Sequence, residues 1–394
     1  MESHLAAPYS FILVFIAITM VPVIAGWVRL PVIVCELIFG IVVGKSFFDW
    51  IETGPVINFF SNFGLEFLMF LAGLEVDTAI VRKHFRKTTA ITFFSISIPF
   101  LAGVFVAPLT GVHPMLLGTV FSTTSLGIVL PICRELKGPK LFRDLLLGST
   151  ILVDIISMLL LAFSLAYLQG AIEITFIYSF VAILFLFILP VILKRLNAER
   201  GVQAWVLLDR SHFEVEVRFS FALLLLLTAI SGTLGFHSII GAFIAGLIIA
   251  EVTHTGSILV KKMESFGYGF FVPMFFVFTG AKVDLSLVFR SLDNISLLLL
   301  ILAAAILSTV IGVYAVCRYM GMSNREGAAM GFFHASRLSL VIAVAEIGRS
   351  AGFIPLEVFS MLVLLSIVSA VVGPSCGRML LEPPREKPKP VQSE

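Results

Sequence analysis

Asp154 stands alone in an apolar run, residues 145–166, that reads LLLGSTILVDIISMLLLAFSLA. The run has the length a bilayer core requires, roughly 20 residues. A carboxylate at that depth is costly to keep, so it marks an ion or proton path unless a neighbouring helix merely hydrogen-bonds it into the packing. Thr150 lies one turn earlier, on the same helix face.

Two further segments carry polar groups at membrane depth. Residues 114–133 contain Ser122, Thr123, Thr124 and Ser125 in a row, followed by Gly127 and Pro131. Residues 326–347 contain His334, Ser336, Arg337 and Ser339 at mid-length. Interrupted hydrophobic segments in corresponding halves of a chain point to a transport site. Unwound backbone and hydroxyl oxygens can replace water around a hard cation, and the ends of half-helices supply partial charge. The plainer reading of either segment alone is hydroxyl hydrogen bonding between helices.

The elements that must position these groups are membrane helices. The 394 residues are 59% hydrophobic and 13% charged, with 38 phenylalanines. Apolar stretches recur from the first residues to about 370, which predicts an all-α polytopic membrane protein. Thirteen transmembrane helices are expected, at about 9–27, 31–45, 57–76, 88–108, 114–133, 144–168, 172–194, 217–234, 237–251, 265–282, 293–318, 326–347 and 355–376. With the N-terminus outside, 22 of the 27 Lys and Arg residues fall in inside segments. Three fall outside (Lys45, Arg290, Arg349) and two within helices (Lys282, Arg337). That asymmetry predicts a cytoplasmic C-terminus in a cell (plasma or inner) membrane. No cleavable leader is expected from the first apolar stretch. The loop 195–216 reads as a surface-lying amphipathic segment. Residues 1–380 read as one membrane unit, and the Pro- and charge-rich 381–394 as a disordered tail with no nucleotide-binding domain after it. Cys35, Cys133, Cys317 and Cys376 show neither metal spacing nor a disulfide pattern.

Other polar residues divide by depth. Glu66 in the third span is a candidate second carboxylate, or an acid near the outer water boundary. Glu36 reads as a packing or interface residue, Glu75 and Asp77 as solvated at the inner end, and Lys282 as a snorkelling side chain. Arg337 keeps its charge and needs carbonyls, water or a carboxylate; Glu66 and Asp154 are both open as partners. His334 reads either as a group titrating near neutral pH or, more plainly, as a packing histidine.

The strings RLPVIVCELIFGIVVG (29–44), NFGLEFLMFLAGLEVD (62–77), STTSLGIVLPICREL (122–136), GSTILVDIISMLLLA (148–162), LGFHSIIGAFIAGLIIAE (234–251) and FFVPMFFVFTGAKVD (270–284) resemble, in order, the monovalent cation:proton antiporter superfamily, second branch. The resemblance covers about 29–370. It implies inverted repeats with the broken fifth and twelfth helices crossing. It also implies a core domain over about 57–168 and 265–376, dimerisation helices over about 9–45 and 172–251, and a homodimer. By position, Asp154 resembles the family's essential ion-binding acid, Thr124 and Ser125 its crossing-helix contributors, and Thr150 a side-chain oxygen ligand. Thr123, Ser149, Ser336, Arg337 and Glu66 are the supporting candidates. The chain departs from the pattern in three places. Val153 stands where many members have an acid or amide, Ser308 and Thr309 where electrogenic members have a Lys, and Arg337 where the family has Glu.

These readings converge on electroneutral exchange of one monovalent cation, Na+ favoured over K+, for one H+ at Asp154. One carboxylate holds either ion but not both, and the bare anion is costly to carry past a low-dielectric gate. A K+/H+ antiporter, a proton-uncoupled channel or uniporter, and a transport-silent sensor are the alternatives. No intramembrane-protease constellation, cofactor site or nucleic-acid-binding pattern is legible.

Overall fold

A computed structural model describes residues 3–28, 30–51, 54–76, 78–136, 139–168, 214–253 and 258–381. The expected span at 172–194, the loop from 195 to 213 and the tail beyond 381 lie outside the described residues. The elements are α1 (Ser3–Val28), α2 (Val32–Val43), α3 (Pro55–Leu74), α4 (Thr78–Lys83), α5 (Phe85–Thr110), α6 (Pro114–Phe121), α7 (Leu126–Glu135) and α8 (Lys140–Leu168). They continue with α9 (Val215–Thr233), α10 (Ser238–Thr253), α11 (Ile258–Phe266), a π-helical turn (Gly267–Phe271), α12 (Val272–Ala281) and α13 (Leu285–Val288). The last four are α14 (Leu292–Tyr319), α15 (Asn324–His334), α16 (Ser339–Ser350) and α17 (Leu356–Leu381). Among the described residues nine segments are long and apolar enough to cross a bilayer, with Val32–Val43 and Ser238–Glu251 as shorter apolar helices.

The expected breaks are present. The span 114–133 is two half-helices, α6 and α7, joined by non-helical Thr123–Ser125; the span 326–347 is α15 and α16, joined through Ser336–Leu338. Local chemistry explains the first break. The Ser122 hydroxyl lies 3.0 Å from the carbonyls of both Gly118 and Thr119, and Thr123 Oγ1 donates to Val120 O at 3.0 Å. These hydroxyls take over carbonyls that a continuing helix would have satisfied. At the second break, Ser369 on α17 accepts from Arg337 N at 3.3 Å and its hydroxyl lies 2.9 Å from Arg337 O.

Glycine sets the tightest helix contacts. A Cβ on Gly73 (α3) would lie 2.2 Å from Phe243 O, and one on Gly246 (α10) 2.0 Å from Phe70 O. Gly40 (α2) and Gly280 (α12) face each other in the same way, at 2.2 Å from Val277 O and 2.3 Å from Leu37 O. Small residues let backbones approach where lipid supplies no hydrophobic drive between helices.

One boundary differs from expectation. The span expected at 265–282 begins at Ile258 and carries Lys261 and Lys262 in its first turns. Those two lysines lower the local hydropathy and hid the helix start. Lys262 is held by Glu214 and, at 2.7 Å, by Glu216.

Candidate ion-binding site

Asp154 lies halfway along α8, 8% exposed, against the junction of α6 and α7. Ser125 is the N-cap of α7 but its side chain makes no capping bond. The first amides of α7 are therefore uncapped by Ser125, and the Leu126 N–H lies beside the Asp154 carboxylate. A carboxylate at a helix N-terminus gains from the positive end of the dipole. Asp154 Oδ1 is buried and has no hydrogen-bond partner. Thr150 Oγ1, one turn away, is also buried without a partner. Two unsatisfied oxygens sharing one face fit a cation or a proton, because such groups are costly to bury unpaired. Among the described residues no group of three or more His, Cys, Asp or Glu side chains comes together to hold a metal. One carboxylate with neutral oxygens suits a singly charged ion.

The other sequence candidates separate. Thr124 Oγ1 donates across the crossing to Ser336 O at 3.4 Å, so the two linkers touch. Ser149 turns away from Asp154: its hydroxyl lies 2.7 Å from Leu145 O and 2.8 Å from His334 Nε2. Ser95 Oγ lies 3.1 Å from His334 Nδ1. Since the Ser149 hydrogen is used on Leu145 O, Ser149 accepts from Nε2–H and Ser95 donates to Nδ1. His334 thus bridges α5 and α8. Glu66, half-buried on α3, makes no contact with Asp154 or Arg337 among the bonds described.

Arg337 takes neither candidate acid. It is fully buried, and its Nη2 donates to Phe121 O, the last residue of α6, and to Thr309 Oγ1 on α14. A guanidinium at a half-helix C-terminus meets the negative end of that dipole. Asp154 at the start of α7 and Arg337 at the end of α6 therefore compensate opposite ends of one break. Ser157 on α8 also donates to Ser122 O, at 3.3 Å.

One reading differs from the structure. Lys282, expected to snorkel, makes a 2.5 Å ion pair with Glu346 on α16, both largely buried. Glu346 went unnoticed because one acid near a helix end looks solvated. Glu75, at the end of α3, accepts from Tyr268 Oη at 3.2 Å in a solvent-accessible contact.

A cavity of about 770 Å³ leads toward the site from one end of the bundle. Glu135 and Arg378, exposed and paired at 2.6 Å, stand at its mouth; Gly127, Ile128 and Leu338 line its inner reach at the crossing. At the opposite end lies a separate pocket of about 440 Å³, lined by Lys45, Asn58, Lys282, Glu346 and Arg349.

Crossed broken helices around a buried carboxylate, with a cavity running to the crossing from one end of a helical membrane bundle, define a secondary transporter. The chain belongs to the sodium/hydrogen exchanger family, whose transmembrane profile ("Sodium/hydrogen exchanger, transmembrane") matches residues 11–382. It is 28% identical to the probable Na+/H+ antiporter 3 of Methanocaldococcus jannaschii, over 95% of this chain and 96% of that one. It is likewise 28% identical to the Na+/H+-K+ antiporter GerN of Bacillus cereus, over 87% and 88%. The fold matches the solved structure of the sodium proton antiporter MjNhaP1 from Methanocaldococcus jannaschii with a TM-score of 0.70 at 16% identity, over 97% of this chain and 99% of that one.

Proposed function

We propose that this antiporter exchanges one Na+ for one H+ by competition at Asp154, with Thr150 and the α6–α7 junction at Thr124 and Ser125 completing the oxygen shell. The observation that carries the reading is Asp154 itself. Its carboxylate lies beside the uncapped start of α7, and Oδ1 is buried without a partner. Na+ or H+ arriving at Oδ1 neutralises the acid and lowers the penalty for moving it across the gate. Arg337 stays charged on Phe121 O and Thr309 throughout the cycle, so one site gives one-for-one, electroneutral turnover. The 770 Å³ cavity opens on the cytoplasmic side, in keeping with the distribution of basic residues, while the Lys282–Glu346 pair closes the outer side.

K+ is the second reading, favoured by the K+ in the name of the Bacillus cereus relative. Proteoliposomes carrying a pH dye, challenged with Li+, Na+, K+ and Rb+ with and without a clamped potential, test both. Dye responses to Na+ that ignore the clamp support the proposal. A rate steered by voltage overturns electroneutrality, and a response to K+ alone overturns the Na+ assignment. The homodimer that the family resemblance implies belongs to the same reading; cross-linking in native membranes tests it.

A further inference from the structure

The wall of the inner cavity holds a carboxylate that the exchange cycle at Asp154 does not use. Glu36, in the second turn of α2, is 3% exposed, lines the cavity, and has a buried Oε2 with no hydrogen-bond partner. The other ionisable groups on that wall are engaged. Glu135 is paired with Arg378 at the mouth, and Tyr268 donates to Glu75. Much of the remaining lining is apolar, including Pro22, Ile33, Ile132, Val272 and Val371.

The same cavity is lined by Gly127 and Ile128, in the first turn of α7, directly after the Leu126 amide that lies beside Asp154. An ion travelling from the mouth to Asp154 passes the cavity wall that carries Glu36. A monovalent cation shedding water in such surroundings needs oxygen ligands and negative charge. Glu36 supplies both from α2, whose main packing partners are α12 and α1, whereas Asp154 belongs to α8.

We propose that Glu36 is a second, lower-affinity station for the alkali cation, loading Asp154 from the cavity side. This inference rests on the exchange reading above. The cation is held at Glu36 Oε2 with its remaining water, then passed to Asp154 Oδ1 and Thr150 Oγ1 as the last water leaves.

The test is sided transport of 22Na+ in right-side-out and inside-out vesicles bearing wild type, Glu36→Gln or Glu36→Asp. Glu36→Gln keeps shape and loses charge. It is expected to raise KM for Na+ about tenfold at the cavity face, leaving KM at the other face and the maximal rate near wild type. Glu36→Asp, which withdraws the charge by one methylene, is expected to fall between. It decides the matter alone if Glu36→Gln does not fold. An unchanged KM at the cavity face, or an equal rise at both faces, overturns the proposal and leaves Glu36 as a packing residue. Asp154→Asn, assayed alongside, separates the two readings. If that variant is silent while Glu36→Gln behaves as wild type, only the loading station falls; if Asp154→Asn still exchanges, the exchange reading falls first.

Discussion

Leu126 and Asp154 face each other where α7 begins: the first amide of the half-helix lies beside a carboxylate on α8 whose Oδ1 is buried without a partner. The break is thereby tied to the ion. Anything that neutralises Asp154 also weakens its hold on the α7 N-terminus, so loading is coupled to the geometry of the crossing.

Replacing Asp154 with Asn keeps an acceptor beside Leu126 but removes the charge that cation and proton share. The expected outcome is loss of exchange, more than about a hundredfold in rate, with an unchanged elution profile and a Tm at or above wild type.

The proposed competition at Asp154 fixes the sign of the pH dependence. Lowering pH fills Asp154 with protons, so the apparent KM for Na+ rises, by up to about tenfold per pH unit once the protonated form dominates. Raising pH lowers KM to a plateau. Initial rates at varied Na+ and pH check this; a maximal rate that falls while KM stays fixed contradicts it.

Arg337 anchors the break rather than carrying cargo. Arg337→Lys keeps the charge but shortens the side chain, withdrawing the donor from Phe121 O and Thr309 Oγ1, which Nη2 alone holds. Leaving a buried carbonyl unsatisfied costs about 1–3 kcal/mol. Thermal unfolding in detergent is expected to drop by several degrees, and Thr309→Val by less.

His334 bridges Ser95 and Ser149. His334→Gln is expected to lower Tm while leaving the midpoint of the pH–rate profile in place. A moved midpoint makes His334 part of the proton path.

Lys282 and Glu346 join α12 to α16 at the end opposite the open cavity. Breaking a largely buried pair costs on the order of 2 kcal/mol, because one charge is stranded. Glu346→Gln is expected to shift the resting population toward the state open at the Lys282–Glu346 end. Maleimide labelling of an Asn58→Cys reporter in the pocket at that end should then speed up, and the double change with Lys282→Met should restore much of the balance.

Much of this was legible in the residues. Asp154 is conspicuous because a lone acid in an apolar run has few explanations, and the breaks follow from Ser122–Ser125 with Gly127 and Pro131 after it, and from the polar cluster of His334, Ser336, Arg337 and Ser339. What could not be read were pairings across long separations. Arg337 finds Phe121, 216 residues away, and no periodicity encodes that. Glu346 and Lys282 each look solvated alone, and only the fold puts them together. The early start of the span at Ile258 was hidden by Lys261 and Lys262, whose charges belong to the helix end.

Purified protein in weakly buffered detergent, titrated with Na+ beside a pH dye, tests the central claim most directly. A site that must shed its proton to take the cation releases acid on binding. Wild type is expected to release up to about one proton per chain on Na+ addition, and Asp154→Asn none. Saturable Na+ binding to wild type without any acid release would contradict the account.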